Sequence, residues 1–126
     1  MAAKKKSANG NGGSKWIRPE RRLAIYLRDR FTCLYCLRDL HDADPRDVTL
    51  DHIKCGHFAG NHHESNLVTA CRSCNSSRQD TPLARFAGPE TVKHIRRNLK
   101  RSLAPYKKLA KAIIAGRTGD AAVEAK

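Results

Sequence analysis

The sequence predicts a small α+β domain held together by a bound metal, and three observations support this. The chain has 126 residues, enough for one domain whose core is small and usually needs a staple. Two C-x-x-C pairs are present, Cys33/Cys36 and Cys71/Cys74. Two short β-rich segments lie between these pairs, whereas segments with helical periodicity flank them.

The first half of the chain reads as a tail, a helix and a metal-binding turn. Residues 1–15 are rich in Gly, Asn, Lys and Ser, so we expect a disordered, solvated basic tail rather than a targeting signal. Pro19 suits the first position of a helix over 19–29. A short turn over 31–36 carries the first cysteine pair, and a loop follows over 38–47.

The centre of the chain predicts a hairpin followed by a helix. Apolar and polar residues alternate over 48–53, which indicates a strand, and a second short strand is expected over 66–70. The segment between them, 54–65, is a loop rich in Gly, His and Asn. A short helix over 72–79 carries the second cysteine pair.

Two basic helices are predicted near the C-terminus, over 89–103 and 105–116, each opened by a proline. Gly116 fits a C-terminal cap. We assign residues 16–116 to the domain, with the motif core at 31–80 and these helices at 89–116, and residues 117–126 to a flexible tail. An apolar stripe at helical spacing predicts packing on the core rather than a groove for a partner. Its members are Val92, Ile95, Leu99 and Leu103.

The charge predicts a polyanionic partner. The formal net charge is +13 and the pI is about 10.0, which favours nucleic acid, although anionic membranes attract the same charge. No acidic residue lies between Thr91 and Gly119, so we expect these helices to grip DNA mainly through its phosphates. The bases there are Lys93, Arg96, Arg97, Lys100, Arg101, Lys107, Lys108, Lys111 and Arg117.

The cysteines favour a structural zinc site over disulfides. Residues 1–15 contain no apolar leader segment and no segment is apolar enough to span a membrane, so we expect a reducing, cytoplasmic location. Four thiolates make the closed tetrahedral shell that structural Zn²⁺ prefers, and 34 residues between Cys36 and Cys71 leave room for a hairpin. Two unrelated cysteine pairs in a core are the alternative. The fifth cysteine, Cys55, is expected to be a small buried or half-buried side chain rather than a redox thiol.

Taken in order, Asp51-His52, Asn66-Leu67-Val68 and the segment CRSCNSSR at 71–78 resemble the HNH nuclease motif in its version with two C-x-x-C pairs. The resemblance extends over roughly 20–80, because the helix and turn before the motif also look like those of bacterial and phage members. It implies the ββα-metal fold, in which two antiparallel strands and a helix surround one catalytic divalent cation.

The same resemblance implies a role for each matching residue. His52 corresponds to the general base, and Asp51 and Asn75 correspond to ligands of the catalytic cation, for which an oxygen-rich shell favours Mg²⁺ or Mn²⁺. Asn66 corresponds to the asparagine that ties the loop and helps to orient the histidine. Arg78 is expected to clamp a phosphate, with a solvated surface arginine as the alternative. Family products carry 5′-phosphate and 3′-hydroxyl ends.

The loop departs from the family pattern, since it carries Cys55, His57, His62 and His63 in place of a Gly-Gly pair. One of these histidines could approach the catalytic metal, but exposed loop histidines are the preferred interpretation. A zinc deaminase is rejected, because only six residues separate Glu64 from Cys71. We therefore predict a metal-dependent DNA endonuclease of low sequence specificity, with a non-catalytic zinc module that binds DNA as the alternative. Small proteins that resemble this one occur beside phage packaging genes, in restriction systems and as mobile elements, which implies packaging or restriction partners.

Overall fold

The computed structural model describes residues 16–56 and 58–118. The predicted N-terminal tail, His57 and the residues after Thr118 lie outside these ranges. The elements, in chain order, are α1 (Pro19–Arg28), β1 (Val48–His52), β2 (Leu67–Cys71), α2 (Arg72–Arg78), α3 (Leu83–Phe86), α4 (Pro89–Leu99) and α5 (Ala104–Thr118). Short 3₁₀ turns, Pro45–Asp47 and Glu64–Asn66, precede the two strands.

The two strands form an antiparallel hairpin that lies at the centre of the molecule. Val48 pairs with Cys71 at one end and His52 pairs with Leu67 at the other, so both predicted strands are confirmed to within one residue. Every residue of β2 is buried. Because neighbours on a strand face opposite sides, Leu67 packs in one apolar cluster and Val68 in another.

Helices α1 and α5 cover one face of the hairpin. Pro19 occupies the first turn of α1 beside Glu20, as expected, and the helix ends at Arg28, one residue before the predicted end. The apolar side chains of both helices meet one residue from each strand in a shared cluster. Its buried members are Ile17, Ala24, Ile25, Tyr26, Leu50, Leu67, Leu103 and Ala110.

Helices α3 and α4 cover the other face. The single turn of α3 was not predicted, whereas α4 begins at Pro89 as expected. Ile95 packs with Leu34, Val68 and Leu83, and Val92 and Leu99 lie against this cluster. The apolar stripe therefore packs on the core, as predicted.

The predicted single helix over 89–103 is wrong, because α4 ends at Leu99. Ile95 and Leu103 belong to different clusters on different faces of the hairpin, and a straight helix could not serve both. The chain turns at 100–103 and starts α5 at Ala104. That helix continues to Thr118, so Gly116 lies inside it and is not a cap. Within the described ranges, no helix has the length and apolar character needed to cross a bilayer.

Candidate active site and zinc centre

The four cysteines of the two C-x-x-C pairs lie close together, one pair in the turn over 31–36 and the other at the start of α2. Their sulfurs all lie within 4.8 Å of one another, and the Cys36 and Cys71 sulfurs are 3.9 Å apart. Sulfurs around a tetrahedral Zn²⁺ with Zn–S bonds of about 2.3 Å lie about 3.8 Å apart. The cluster therefore fits a structural zinc site.

Each cysteine pair forms a matching turn around this site. The backbone N–H of Cys36 points at the Cys33 sulfur (3.5 Å), and the N–H of Cys74 points at the Cys71 sulfur (3.4 Å). These contacts favour thiolates over thiols. Burial raises the pKa of the Cys33 and Cys74 thiols, so a cation must displace their protons to bind. Cys55 lies outside the cluster and is exposed, so the expected burial is wrong.

The end of β1 presents Asp51 and His52 to opposite sides, as alternation along a strand predicts. Asp51 is 6% exposed and faces the turn of the first cysteine pair and α2. His52 is half-buried and faces the loop between the strands. The two neighbours therefore have separate partners and can have separate roles.

The Asp51 carboxylate is held at one oxygen. The Tyr35 hydroxyl donates to Oδ2, and the Arg78 guanidinium donates to the same atom through Nη1 at 2.7 Å. Within the described ranges, no hydrogen bond to Oδ1 is found. Burial, and then the hydrogen bond to Asp51, raise the pKa of Tyr35, so its hydroxyl remains a donor.

Arg78 is not placed as a phosphate clamp. Arg78 is 1% exposed, and each of the three nitrogens of its guanidinium donates to a protein acceptor. Besides Asp51, it donates to the Tyr35 hydroxyl (3.3 Å) and to the carbonyl oxygens of His52 (2.8 Å), Ile53 (2.7 Å) and Thr81 (2.9 Å). A clamp needs exposed N–H groups, which Arg78 does not offer in this arrangement, and the alternative of a solvated surface arginine is wrong. It anchors the end of β1 to α2.

The His52 ring lies against a second histidine. Its Nε2 is 2.8 Å from Nδ1 of His62, and the Trp16 ring lies about 5 Å from both rings, with centroid distances of 5.1 and 4.8 Å. Burial, and then the neighbouring His62, lower the pKa of His52. The neutral ring, which a general base requires, is therefore favoured near neutral pH.

His62 is the residue that the sequence interpretation missed. It is exposed, as expected of a loop histidine, but its ring bonds to the predicted base. Its carbonyl accepts a hydrogen bond from Arg21 of α1, whose guanidinium also lies 3.5 Å from the Glu64 carboxylate. No pattern in the sequence distinguishes His62 from His63, which bonds locally to Ser65.

Asn66 ties the loop between the strands. Its Oδ1 accepts from the Lys54 N–H (2.8 Å), and its Nδ2 donates to the carbonyls of Lys54 (3.0 Å) and Asn61 (2.9 Å). Its own carbonyl accepts from the Ile53 N–H at 2.9 Å. One amide thus closes the loop at its two ends, directly after His52.

Asn75 lies on α2 against β1. Its Nδ2 donates to Oγ1 of Thr49 (2.9 Å) and to the carbonyl of Leu50 (3.2 Å). Both contacts use the nitrogen, and no hydrogen bond to the side-chain oxygen occurs within the described ranges. That oxygen is the atom that ligates a hard cation.

The residues present fit a catalytic cation of the magnesium type. The oxygens Oδ1 of Asp51 and Oδ1 of Asn75 are hard donors, and each belongs to a side chain that is fixed through its other polar atom. Mg²⁺ commonly takes one or two protein oxygens and completes its shell with water and phosphate oxygens. Two protein ligands are therefore sufficient.

Residues 33–81 match the family model of the HNH endonuclease. They form an HNH domain. An HNH domain implies a nuclease and implies DNA as the substrate. Comparisons with curated proteins and with solved structures gave no match. The HNH domain includes the four-cysteine cluster, both strands and α2, so the resemblance seen in the sequence is confirmed over 33–81, and α1 lies outside the match.

Helices α4 and α5, with Lys100 between them, lie outside the HNH domain and carry exposed positive charge. Among the bases predicted to contact phosphate, Arg101 is half-buried and bonds to protein acceptors. They are the Arg28 carbonyl (3.3 Å), Oδ1 of Asn98 (3.1 Å) and the Tyr106 hydroxyl. The exposed bases are Lys93, Arg96, Arg97, Lys100, Lys107, Lys108 and Lys111.

Proposed function

We propose that the protein is a metal-dependent DNA endonuclease in which His52 is the general base. The observation that supports this best is the arrangement of four residues in the HNH domain. Asp51 and His52 end β1, Asn66 closes the loop, and Asn75 faces β1 from α2. A module that only binds DNA needs none of these four side chains.

His52 takes the proton from the attacking water in this proposal. Its lowered pKa keeps the ring neutral at physiological pH, and its contact with His62 fixes the orientation of the ring by engaging Nε2. Asn66 supports the base by holding the backbone that follows His52. These contacts orient the ring before DNA binds.

Asp51 and Asn75 would hold the catalytic cation, Mg²⁺ or Mn²⁺, through their side-chain oxygens. When bound, the cation supplies stabilisation of the charge that develops on the phosphate and on the departing 3′ oxygen. The products would carry 5′-phosphate and 3′-hydroxyl ends. The residues of this chain position the phosphate and remove the proton.

Exposed bases on α4 and α5 would grip the DNA outside the HNH domain. Phosphate contacts carry no sequence information, so we propose low sequence specificity. Apart from Glu90 in the first turn of α4, both helices carry no acidic residue, since none lies between Thr91 and Gly119. Partners in phage packaging or restriction remain compatible with this activity.

The test is nicking of supercoiled plasmid by the zinc-loaded chain in Mg²⁺ or Mn²⁺, beside His52→Ala. The wild-type chain should nick, and loss of the general base should slow nicking about 10²- to 10⁴-fold. Equal nicking by both proteins would contradict His52 as the base. DNA binding without nicking in any divalent metal would favour the alternative, a non-catalytic zinc module.

A further inference from the structure

We propose that Tyr35 is a positioning residue for Asp51: its hydroxyl holds Oδ2 so that Oδ1 stays available to the catalytic cation. This inference rests on the proposed function, because it assigns a purpose to the Asp51 carboxylate. Tyr35 lies inside the first cysteine turn, between Cys33 and Cys36. The zinc centre would thus set the geometry of the catalytic centre through one side chain.

The hydrogen-bond pattern at Asp51 supports this role. Tyr35 and Arg78 both donate to Oδ2, although a carboxylate offers acceptor sites on two oxygens. Two donors on one oxygen fix the rotation of the carboxylate. Ligands of metals are commonly held in this way by hydrogen bonds to their other atoms.

The Tyr35 ring is itself fixed on two sides. Its edge packs at 89° against the Phe86 ring of α3, with centroids 5.2 Å apart. The Arg78 guanidinium carbon lies 5.9 Å from the ring centroid. The backbone of Tyr35 belongs to the cysteine turn. This turn is fixed to the hairpin, because the Leu34 N–H donates to the Thr69 carbonyl of β2 at 3.1 Å. The hydroxyl is therefore held by packing and not by Asp51 alone.

Arg78 alone would not do the same work. It supplies the charge that compensates buried Asp51, but a positive charge beside a ligand opposes the binding of a cation. The neutral Tyr35 hydroxyl fixes the carboxylate without that electrostatic cost. The pair thus divides two tasks, charge compensation by Arg78 and orientation by Tyr35.

The experiment measures Mn²⁺ binding to the zinc-loaded full chain without DNA, by calorimetry or by the Mn²⁺ EPR signal. Tyr35→Phe keeps the ring and removes the hydroxyl. We expect its Mn²⁺ affinity to fall about 10- to 100-fold, with zinc content unchanged. The matched control is Tyr106→Phe, which also removes a hydroxyl bonded to an arginine, and it should bind Mn²⁺ like the wild type.

A folded Tyr35→Phe chain with one zinc and wild-type Mn²⁺ affinity would overturn the inference. If Tyr35→Phe loses zinc, Phe86→Leu replaces it, because this variant keeps the hydroxyl and loosens the ring; unchanged Mn²⁺ affinity would then overturn the inference. Asp51→Asn separates the two levels of the argument. If Asp51→Asn binds Mn²⁺ as tightly as the wild type, the proposed metal site fails together with the role of Tyr35.

Discussion

Two buried aspartates lie close to the hairpin, and they are bonded in opposite ways. Asp29, after α1, uses both carboxylate oxygens. Oδ1 accepts from Arg28 (2.8 Å) and from Asn98, and Oδ2 accepts from Arg28 (3.2 Å) and from the Thr69 N–H (2.8 Å). Within the part of the chain that the structure describes, Asp51 accepts hydrogen bonds only at Oδ2.

The arginines that pair with these two aspartates, Arg28 and Arg78, have the same kind of partner: each donates to backbone carbonyls at one end of the loop between the strands. Arg28 binds the carbonyls of Glu64 (3.0 Å) and Leu67 (2.6 Å), where β2 begins. Arg78 binds the carbonyls of His52 and Ile53, where β1 ends. Together they bracket the loop between the strands. A buried ion pair is weak evidence for net stability, but both pairs fix the position of this loop.

We interpret the difference between the aspartates as a structural role for Asp29 and a functional role for Asp51. A carboxylate with both oxygens saturated, as in Asp29, can only hold its neighbours together. In Asp51, the donors bond to Oδ2, and within the described residues Oδ1 has no donor. Such a carboxylate can bind a metal ion through its second oxygen. The predictions below test whether damage to each region has the consequence that this difference implies.

The largest effect is expected from loss of zinc, which fixes the turn on the Asp51 side. Structural zinc contributes about 10–16 kcal/mol of apparent binding free energy, which is comparable to the whole stability of a domain, about 5–15 kcal/mol. Cys71→Ser should therefore lose zinc and its cooperative unfolding transition together, as measured by metal analysis and circular dichroism.

Cys55→Ser is the matched control for this prediction. Cys55 is exposed and lies outside the cluster, with its sulfur 4.0 Å from the Gln79 carbonyl. This variant should retain one zinc and the wild-type transition. A folded Cys71→Ser chain that keeps its zinc would contradict the four-thiolate site.

The next effect separates the two aspartates directly. Asp29→Asn leaves Arg28 buried without its carboxylate, so we expect a loss of about 3–5 kcal/mol in the free energy of unfolding. Mn²⁺ affinity, measured at a temperature where the variant is folded, should remain that of the wild type. Asp51→Asn should instead abolish Mn²⁺ binding.

The distinction between the two aspartates is contradicted if Asp29→Asn and Asp51→Asn have the same effect on Mn²⁺ affinity, or if only Asp29→Asn loses Mn²⁺ binding. Loss of Mn²⁺ binding in a folded Asp29→Asn chain would show that the α1 side also serves the metal. Denaturant titration and Mn²⁺ calorimetry on the same preparations decide this, because one reports stability and the other reports the ligand.

A smaller loss is expected from Asn98→Ala. Asn98 is 7% exposed on α4, donates to Asp29 and accepts from Arg101. Removing it leaves these two groups with fewer partners, which should cost about 1–3 kcal/mol, again without effect on Mn²⁺ affinity. Lys93→Ala, an exposed position on the same helix, should stay within about 0.5 kcal/mol of the wild type. If Asn98→Ala and Lys93→Ala have the same free energy of unfolding, the hydrogen bonds of Asn98 do not stabilise the protein.

The difference between the two regions also explains what could be predicted from the sequence. The strands and the cysteine site follow from local alternation and spacing, and both are found where expected. The Asp29 network joins α1, β2 and α4, and no local pattern marks an aspartate that meets an asparagine 69 positions away. The placement of Arg78 was misjudged for a related reason. A charged side chain in a short helix is normally exposed, and only the tertiary contact with Asp51 and the end of β1 buries it.

The smallest effect on stability, but a clear one on rate, is expected at His62 in the bracketed loop. His62 is exposed, so His62→Ala should change the free energy of unfolding by no more than about 0.5 kcal/mol. Its hydrogen bond orients His52, and loss of a bond worth about 0.5–1.5 kcal/mol corresponds to roughly a 2- to 13-fold slower nicking rate.

His62→Asn tests the same contact with a side chain whose amide can occupy the position of Nδ1, so its nicking rate should exceed that of His62→Ala. His94→Ala, another exposed histidine on α4, should nick at the wild-type rate. If His62→Ala nicks at the wild-type rate as well, His52 is oriented without it. Asn66 and the Arg78 bond to the His52 carbonyl would then be sufficient to position the base, and the loop would contribute only through its two fixed ends.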